Sequence, residues 1–314
     1  MSGLFFYFLK LPKRIMHPAK TLRRHLLGFS QIFLQNDLRF ALIILASIAL
    51  AAPRLLPGAL LGALAGPLAA RLARLPDEDI DAGLYGYNAI LLGLLLPFSF
   101  QWSVSLVLLV LAGILVSVLM QAWLLRPARH RHGLPAYTFA FVAPGWLLLA
   151  LGKALGLTTA TAADCLGCSP LPHLDAVGLG IGEVIFLGEP LAGVLLWFGL
   201  LLADRRAAAW ALAGSAGALL IAQVAHLPAA AAAAEAGLLG LNGALAGIAL
   251  GQAGRRCLPG ICAIVLAVLL QPCLASFSLP PLTAPFIFAC WLVIAGQRLL
   301  PSRTPRHGKR TQPF

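Results

Sequence analysis

Three pairs of polar residues stand out in a chain that is otherwise strongly apolar. Gln31, in Gly28-Phe29-Ser30-Gln31-Ile32-Phe33, is matched by Glu183, in Gly180-Ile181-Gly182-Glu183-Val184-Ile185-Phe186, 152 residues on (183 − 31). Asn88, in Gly83-Leu84-Tyr85-Gly86-Tyr87-Asn88, is matched by Asn242, in Gly237-Leu238-Leu239-Gly240-Leu241-Asn242, 154 residues on (242 − 88). Thr138, in Leu134-Pro135-Ala136-Tyr137-Thr138-Phe139-Ala140-Phe141, is matched by Thr283, in Leu279-Pro280-Pro281-Leu282-Thr283-Ala284-Pro285-Phe286, 145 residues on (283 − 138). All six side chains carry oxygens that accept hydrogen bonds. No nucleophile, base and acid recur together among them, so the pattern suits holding a solute and not transforming one. Each pair also has a plainer reading. Thr138 and Thr283 can bond their own helix carbonyls, Asn88 and Asn242 can serve as caps or as glue between helices, and Gln31 and Glu183 can reach lipid headgroups. An ionisable residue inside a membrane span nevertheless points to function by default, which weighs on Glu183.

The elements that carry these pairs follow from composition and charge. The chain has 314 residues, is 60% hydrophobic and only 11% charged, and has a mean hydropathy of +0.89. A soluble domain averages about 25% charged residues, so this chain has too much apolar surface to hide from water. Runs long enough to span, about 20 residues with tolerance, lie near 39–56, 58–75, 84–100, 103–125 and 134–152, and again near 189–203, 207–226, 236–252, 258–278 and 281–300. Lipid offers no partner to an unpaired backbone group, so these runs are expected to be helices. With the N-terminus inside, Arg71 and Arg74, Arg126 with Arg129 and Arg131, Arg205 with Arg206, and Arg255 with Arg256 all fall in cytoplasmic loops, as does the C-terminal tail. That distribution obeys the positive-inside rule and places both termini in the cytoplasm. Five spans per half is odd, so the second half must run opposite to the first, and such inverted repeats place a pathway between them. The expected fold is therefore an all-α integral membrane protein of two inverted five-helix repeats. Its segments are a basic cytoplasmic tail over 1–27, a first repeat over 28–152, a periplasmic linker over 153–178, a second repeat over 179–300 and a cytoplasmic tail over 301–314. The basic stretch Lys10 to Arg24 reads as a retained tail, since no apolar segment with a small-residue cleavage site follows it.

Other chemistries are weaker. The net charge of +12 sits in short clusters between apolar runs, which argues for cytoplasmic loops and against nucleic acid. Cys165-Leu166-Gly167-Cys168 with His173 in the linker is a single CxxC, weak evidence for a metal and better read as a disulfide or two thiols in an oxidising compartment. Cys257, Cys262, Cys273 and Cys290 lie in or beside apolar runs and are expected to pack. His130 and His132 sit among arginines in a cytoplasmic loop. No metal, cofactor or enzymatic activity is expected, and no phosphate-binding loop suggests ATP drive. A ladder of intramembrane carboxylates is missing, although the lone Glu183 keeps a proton-coupled carrier of small amides or ammonia as the alternative.

Taken together, the three repeated motifs resemble those of the urea transporter family: the GFSQ-type and G-x-G-E segments, the GLYGYN segment, and a twice-repeated L-P-x-x-T-x-P-F. The resemblance covers about 28 to 300. It implies ten transmembrane helices plus a short re-entrant helix in each half, a homotrimer in the cell inner membrane, and passive, channel-like passage of urea between the halves of each protomer. It also implies roles. Gln31, Thr138, Glu183 and Thr283 would be acceptors along the pore. Leu34 and Phe186, with Tyr87 and Leu241, would be the slot positions; Leu91, Leu245 and Val184 would line it further. Asn88 and Asn242 would support the pore. Urea is neutral, flat and strongly hydrated, and leaving water without replacement hydrogen bonds costs it several kcal/mol. Oxygens along an apolar slot replace those bonds and exclude hydrated ions. Two slot positions are aliphatic here, Leu34 and Leu241, and Ala140 replaces a motif proline, so the width of the slot is the feature in which this chain departs from the pattern.

Overall fold

The computed structural model describes residues 18–128, 133–160, 172–224, 237–252, 257–277 and 280–299. The CxxC at Cys165 and Cys168, the histidines His130 and His132, and both outer tails lie outside them. The described residues form helices with no named strand; one isolated bridge joins Phe100 to Thr159. The first set is α1 (Pro18–Gln31), α2 (Leu38–Ala51), α3 (Leu56–Leu72), a short acidic α4 (Asp77–Asp81), α5 (Tyr87–Ser99), α6 (Val104–Ala128) and α7 (Phe139–Ala154). The second is α8 (Pro172–Gly182), α9 (Pro190–Ala203), α10 (Arg205–Val224), α11 (Leu238–Gly251), α12 (Leu258–Ala275) and α13 (Ala284–Leu299). Each of the ten apolar runs holds one α-helix, and α1 and α8, at the head of each set, stand before the first of these runs in their half.

Contacts repeat between the sets. α1 packs on α2 and α8 on α9; α5 touches α3, α6 and α7, and α11 touches α10, α12 and α13. Small residues make the tightest of these contacts. Gly58 and Gly93 meet backbone to backbone between α3 and α5, and Gly214 meets Gly243 in the same way between α10 and α11. A Cβ at any of the four would collide with a carbonyl of the facing helix. Close backbone approach through small residues is how helices associate in lipid, where apolar side chains gain nothing by leaving it. The helices of the first apolar run in each half, α2 and α9, pack on each other across the halves and run antiparallel. Phe40 and Ile43 near the start of α2 meet Gly199 near the end of α9, while Ser47, Leu50 and Ala51 share a recess with Glu189, Leu191 and Ala192. Asp37 caps α2 by accepting from the Phe40 N–H (2.9 Å), and Arg39 beside it holds that carboxyl below its usual range. Arg39 also donates to the Leu202 carbonyl at the end of α9 (3.2 Å).

Among the described residues, four helical stretches are long and apolar enough to cross a membrane on their own: Pro53–Leu72, Val104–Arg126, Arg205–Val224 and Leu258–Ala275. Leu174–Ile185 and Pro190–Ala203 would pass together but for a 75° bend between them. The remaining apolar helices are shorter; at 1.5 Å per residue the 14 residues of α11 reach only about 21 Å. The shortness has a physical cause. Tyr87 at the start of α5, Thr138 before α7, Leu239 in the first turn of α11 and Ala284 at the start of α13 are all buried, so these helices begin inside the protein. Irregular backbone is tolerated at membrane depth only where protein encloses it. α7 and α13 accordingly start later than their apolar runs, because a proline-containing segment and a left-handed residue precede each. The outer surface carries exposed leucines on several helices, including Leu64, Leu68, Leu108, Leu119, Leu147 and Leu269, a face suited to lipid and not to water. This is a multi-pass membrane protein.

Among the described residues, five that are not glycine have positive φ: Leu34, Arg74, Tyr137, Phe186 and Leu282. Four of them form two pairs at the repeat spacing, Leu34 with Phe186 (186 − 34 = 152) and Tyr137 with Leu282 (282 − 137 = 145). Gly83 and Gly237, with φ of 79° and 76°, add a third pair at 154. A left-handed side-chain-bearing residue costs about 1–2 kcal/mol and persists only when its surroundings over-determine it. The strain is thus repeated in both halves, and it lies beside the polar pairs.

Candidate functional site

Thr138 and Thr283 meet between the halves. Each immediately precedes a helix, α7 or α13, and each follows a left-handed residue, Tyr137 or Leu282. Their hydroxyls are 2.7 Å apart, with Thr138 at 1% and Thr283 at 4% exposure. The hydroxyls therefore bond each other across the halves.

Side chains from each half hold the two threonine loops. In the first half the Tyr87 hydroxyl donates to the Tyr137 carbonyl (2.6 Å), and Gln121 of α6 donates to the Tyr87 oxygen (2.9 Å). Asn88 donates to the same Gln121 (3.1 Å). In the second half Leu241 has no hydroxyl, and Asn242 makes the bond itself. Its amide N–H group donates to the Leu282 carbonyl (3.0 Å) and to Gln271 of α12 (2.9 Å), while its oxygen accepts from the Phe286 N–H (3.0 Å). The Asn88 oxygen has no such partner. The difference between Tyr87 and Leu241 thus changes which side chain holds the left-handed carbonyl, and the carbonyl is held either way. Buried amide networks of this kind fix one arrangement because an unpaired member is costly in a low dielectric.

Gln31 and Glu183 occupy matched turns. Gln31 ends α1 and Glu183 opens the 3-10 turn Glu183–Ile185 that ends α8. The Leu34 N–H donates to the Gln31 carbonyl (2.9 Å) and the Phe186 N–H to the Glu183 carbonyl (3.2 Å), closing the same turn in both halves. Both side chains are half-buried. The Gln31 amide donates to the Ala82 carbonyl (3.0 Å), which leaves its oxygen to accept; Glu183 Oε1 lies over Gly188. Glu183 therefore sits in a turn at the 75° bend and not within a straight span. Phe186 lies against Phe98 (ring centroids 5.2 Å) and Phe141 (6.4 Å) of the first half. Leu34 offers no ring. Beside it Gln35 donates to Gln252 of the other half (3.0 Å), and Gln252 stands 154 residues after Phe98 (252 − 98). Leu91, Leu245 and Val184 are enclosed in the hydrophobic core, and Tyr87 and Leu241 are nearly so. The site residues thus fall into a central group around the threonines and two outer turns at Gln31–Leu34 and Glu183–Phe186, with no hydrogen bond from either outer side chain to the threonines.

Four residues of the central group escaped the motif reading. Gln121 and Gln271 are single amides in long apolar helices, 150 residues apart (271 − 121), outside the quoted motifs. Trp146 and Trp291, 145 apart (291 − 146), bond across the halves: Trp146 donates to the Pro280 carbonyl and Trp291 to the Pro135 carbonyl, each at 2.8 Å. The repeat spacing carried to every polar and aromatic residue would have found all four. Among the cysteines, Cys290 is buried, whereas Cys257, Cys262 and Cys273 are exposed on or beside α12 and do not pack inside as expected. Their helix presents one side to the outside, and an apolar run alone does not say which side. Among the described residues no group of His, Cys, Asp and Glu is arranged to hold a metal ion.

Comparison with known proteins agrees with the motifs. The sequence model described as urea transporter matches residues 22–298, a stretch that contains all three polar pairs and both threonine loops. A comparison with curated proteins gives no match.

Proposed function

This chain belongs to the urea transporter family, a family of transporters and not of enzymes, and from that premise we propose that it passes urea down its gradient through a channel-like path between its two halves. The observation that carries the reading is the 2.7 Å contact of Thr138 with Thr283, where oxygens from both halves meet at the buried starts of α7 and α13. Urea leaving water needs acceptors for its N–H groups. Gln31 and Glu183 supply them at the outer turns, and the threonines at the centre. Leu34 and Phe186, in their left-handed turns, form the slot with Tyr87 and Leu241; Leu91, Leu245 and Val184 complete its apolar lining. Asn88 and Asn242 support the threonine loops and do not touch the solute.

The layout that suits this path is ten membrane spans in two inverted repeats, with α1 and α8 as re-entrant helices. The antiparallel packing of the counterparts α2 and α9 supports the inversion. Contacts between loops support the orientation, because each joins two segments that the charge rule assigns to one side. Arg24 pairs with Asp81 (2.8 Å), Arg39 with the Leu202 carbonyl, and Arg298 with the Gly133 carbonyl (3.0 Å), all on the cytoplasmic side. Trp102 bonds the Arg54 carbonyl (2.9 Å), and Gln101 the Thr158 carbonyl (2.9 Å), on the periplasmic side. Both termini are then cytoplasmic, the membrane is the inner membrane, and the assembly is a homotrimer with one pore in each protomer.

The test is stopped-flow light scattering of liposomes holding the purified protein. An inward urea gradient with no ion gradient should give re-swelling well above that of protein-free liposomes and unchanged by a protonophore. Urea uptake that requires an imposed proton gradient contradicts the passive reading.

A further inference from the structure

The two tryptophans of the central group do something that the threonines and amides do not. Each stands eight residues after the threonine of its own half (146 − 138 and 291 − 283) and bonds the proline three residues before the threonine of the other half (283 − 280 and 138 − 135). The two bonds are therefore reciprocal and of equal length, and they flank the Thr138–Thr283 contact. Of the other tryptophans, Trp102 and Trp197 donate within their own half, to Arg54 and Ala208. Tyr87 and Asn242 tie each threonine loop to its own half and fix where that loop sits. Trp146 and Trp291 tie each loop to the opposite half, and such a tie fixes how far apart the loops stand. Proline transmits the restraint well: its φ is locked, and only two residues separate it from the threonine. Packing steadies the donor on one side, where the Trp291 ring lies against Phe139 (5.4 Å) and Phe288 (5.8 Å).

Resting on the transport reading above, we propose that Trp146 and Trp291 are positioning residues that set the separation of the threonine loops and thereby the width of solute the path accepts. The bonded hydroxyls hold the loops at their present separation, so a solute wider than that separation allows must part them further. The cost of parting rises with the distance needed. Releasing a tie across the halves therefore favours a wide solute more than a narrow one. An account in which the tryptophans only hold the fold together predicts less protein and an unchanged preference.

The experiment is the permeability of liposomes holding the full chain to urea and to 1,3-dimethylurea, for the native protein, Trp146→Phe, Trp291→Phe and the double variant. The ratio of the two permeabilities does not depend on how much folded protein is present. Loss of one neutral hydrogen bond should lower the urea-to-dimethylurea ratio about fivefold in each single variant, and further in the double. A variant that does not insert is replaced by benzothienylalanine at the same position, which keeps the ring shape and removes only the N–H. A ratio that stays within about twofold of native, or that rises, overturns the proposal. Native protein that passes no urea at all overturns the transport reading instead.

Discussion

At the scale of single residues, the threonines and Glu183 carry the sharpest expectations. Thr138→Val and Thr283→Val remove a hydroxyl at nearly constant volume. Each should lower urea flux about fivefold, the equivalent of one neutral hydrogen bond, with insertion unchanged. Native flux in both variants at native protein level would take the threonines out of the path. Glu183→Gln keeps an acceptor oxygen and removes the ionisable group. Its flux should be retained and indifferent to pH between 6 and 8; a folded variant with no flux would mean that the carboxyl does more than accept hydrogen bonds. The oxygens at these positions were legible in the sequence because they recur at one spacing in an apolar chain. The contact between Thr138 and Thr283 was not legible. Spacing says that two residues are equivalent, and equivalent residues touch only when the symmetry axis passes between them.

At the scale of elements, the amide networks and the glycine crossings decide whether the helices hold their places. Gln121 serves both Tyr87 and Asn88, and the Asn88 oxygen already lacks a partner. Gln271 serves an Asn242 that keeps two other bonds. Gln121→Leu should therefore destabilise the protein by about 1–2 kcal/mol and Gln271→Leu by less, read as thermal unfolding in detergent. The reverse order would show that the two networks are not organised as described. Gly58→Leu should prevent assembly, because the side chain would enter the backbone of α5, whereas Gly296→Leu on α13 meets open space and should insert at native level. Equal yields of the two would count against the α3–α5 crossing. The sequence named ten apolar runs and each holds a helix, because lipid forces apolar backbone into helices. It missed the starts of α7 and α13 by several residues. Those starts are set by Tyr137 and Leu282 in left-handed conformations, and a tyrosine or leucine carries no local signal for such a turn; the hydrogen bonds from Tyr87 and Asn242 impose it. Gln121 and Gln271 were missed for the opposite reason, since one amide in a long apolar run has the look of an isolated polar residue until its partner on another helix is known.

At the scale of the whole molecule, two sets of helices face each other through matched contacts: α2 on α9, Thr138 on Thr283, Trp146 and Trp291 on opposite prolines. Each such contact pairs a residue with its own counterpart or exchanges bonds between counterparts, which supports the proposed two-fold relation between the halves. On the proposed reading, the path between the halves passes where the two threonines meet. The most direct test joins them. Thr138→Cys with Thr283→Cys, on a background whose native cysteines are alanine, places two sulfurs where hydroxyls stand 2.7 Å apart. Urea flux through liposomes in reductant should be lower than that of the cysteine-free parent, because thiols accept hydrogen bonds weakly, yet clearly above the protein-free level; it should fall to the protein-free level once oxidation forms the bond, and return when the bond is reduced. A quantitatively formed disulfide with urea flux unchanged would contradict a path between the halves.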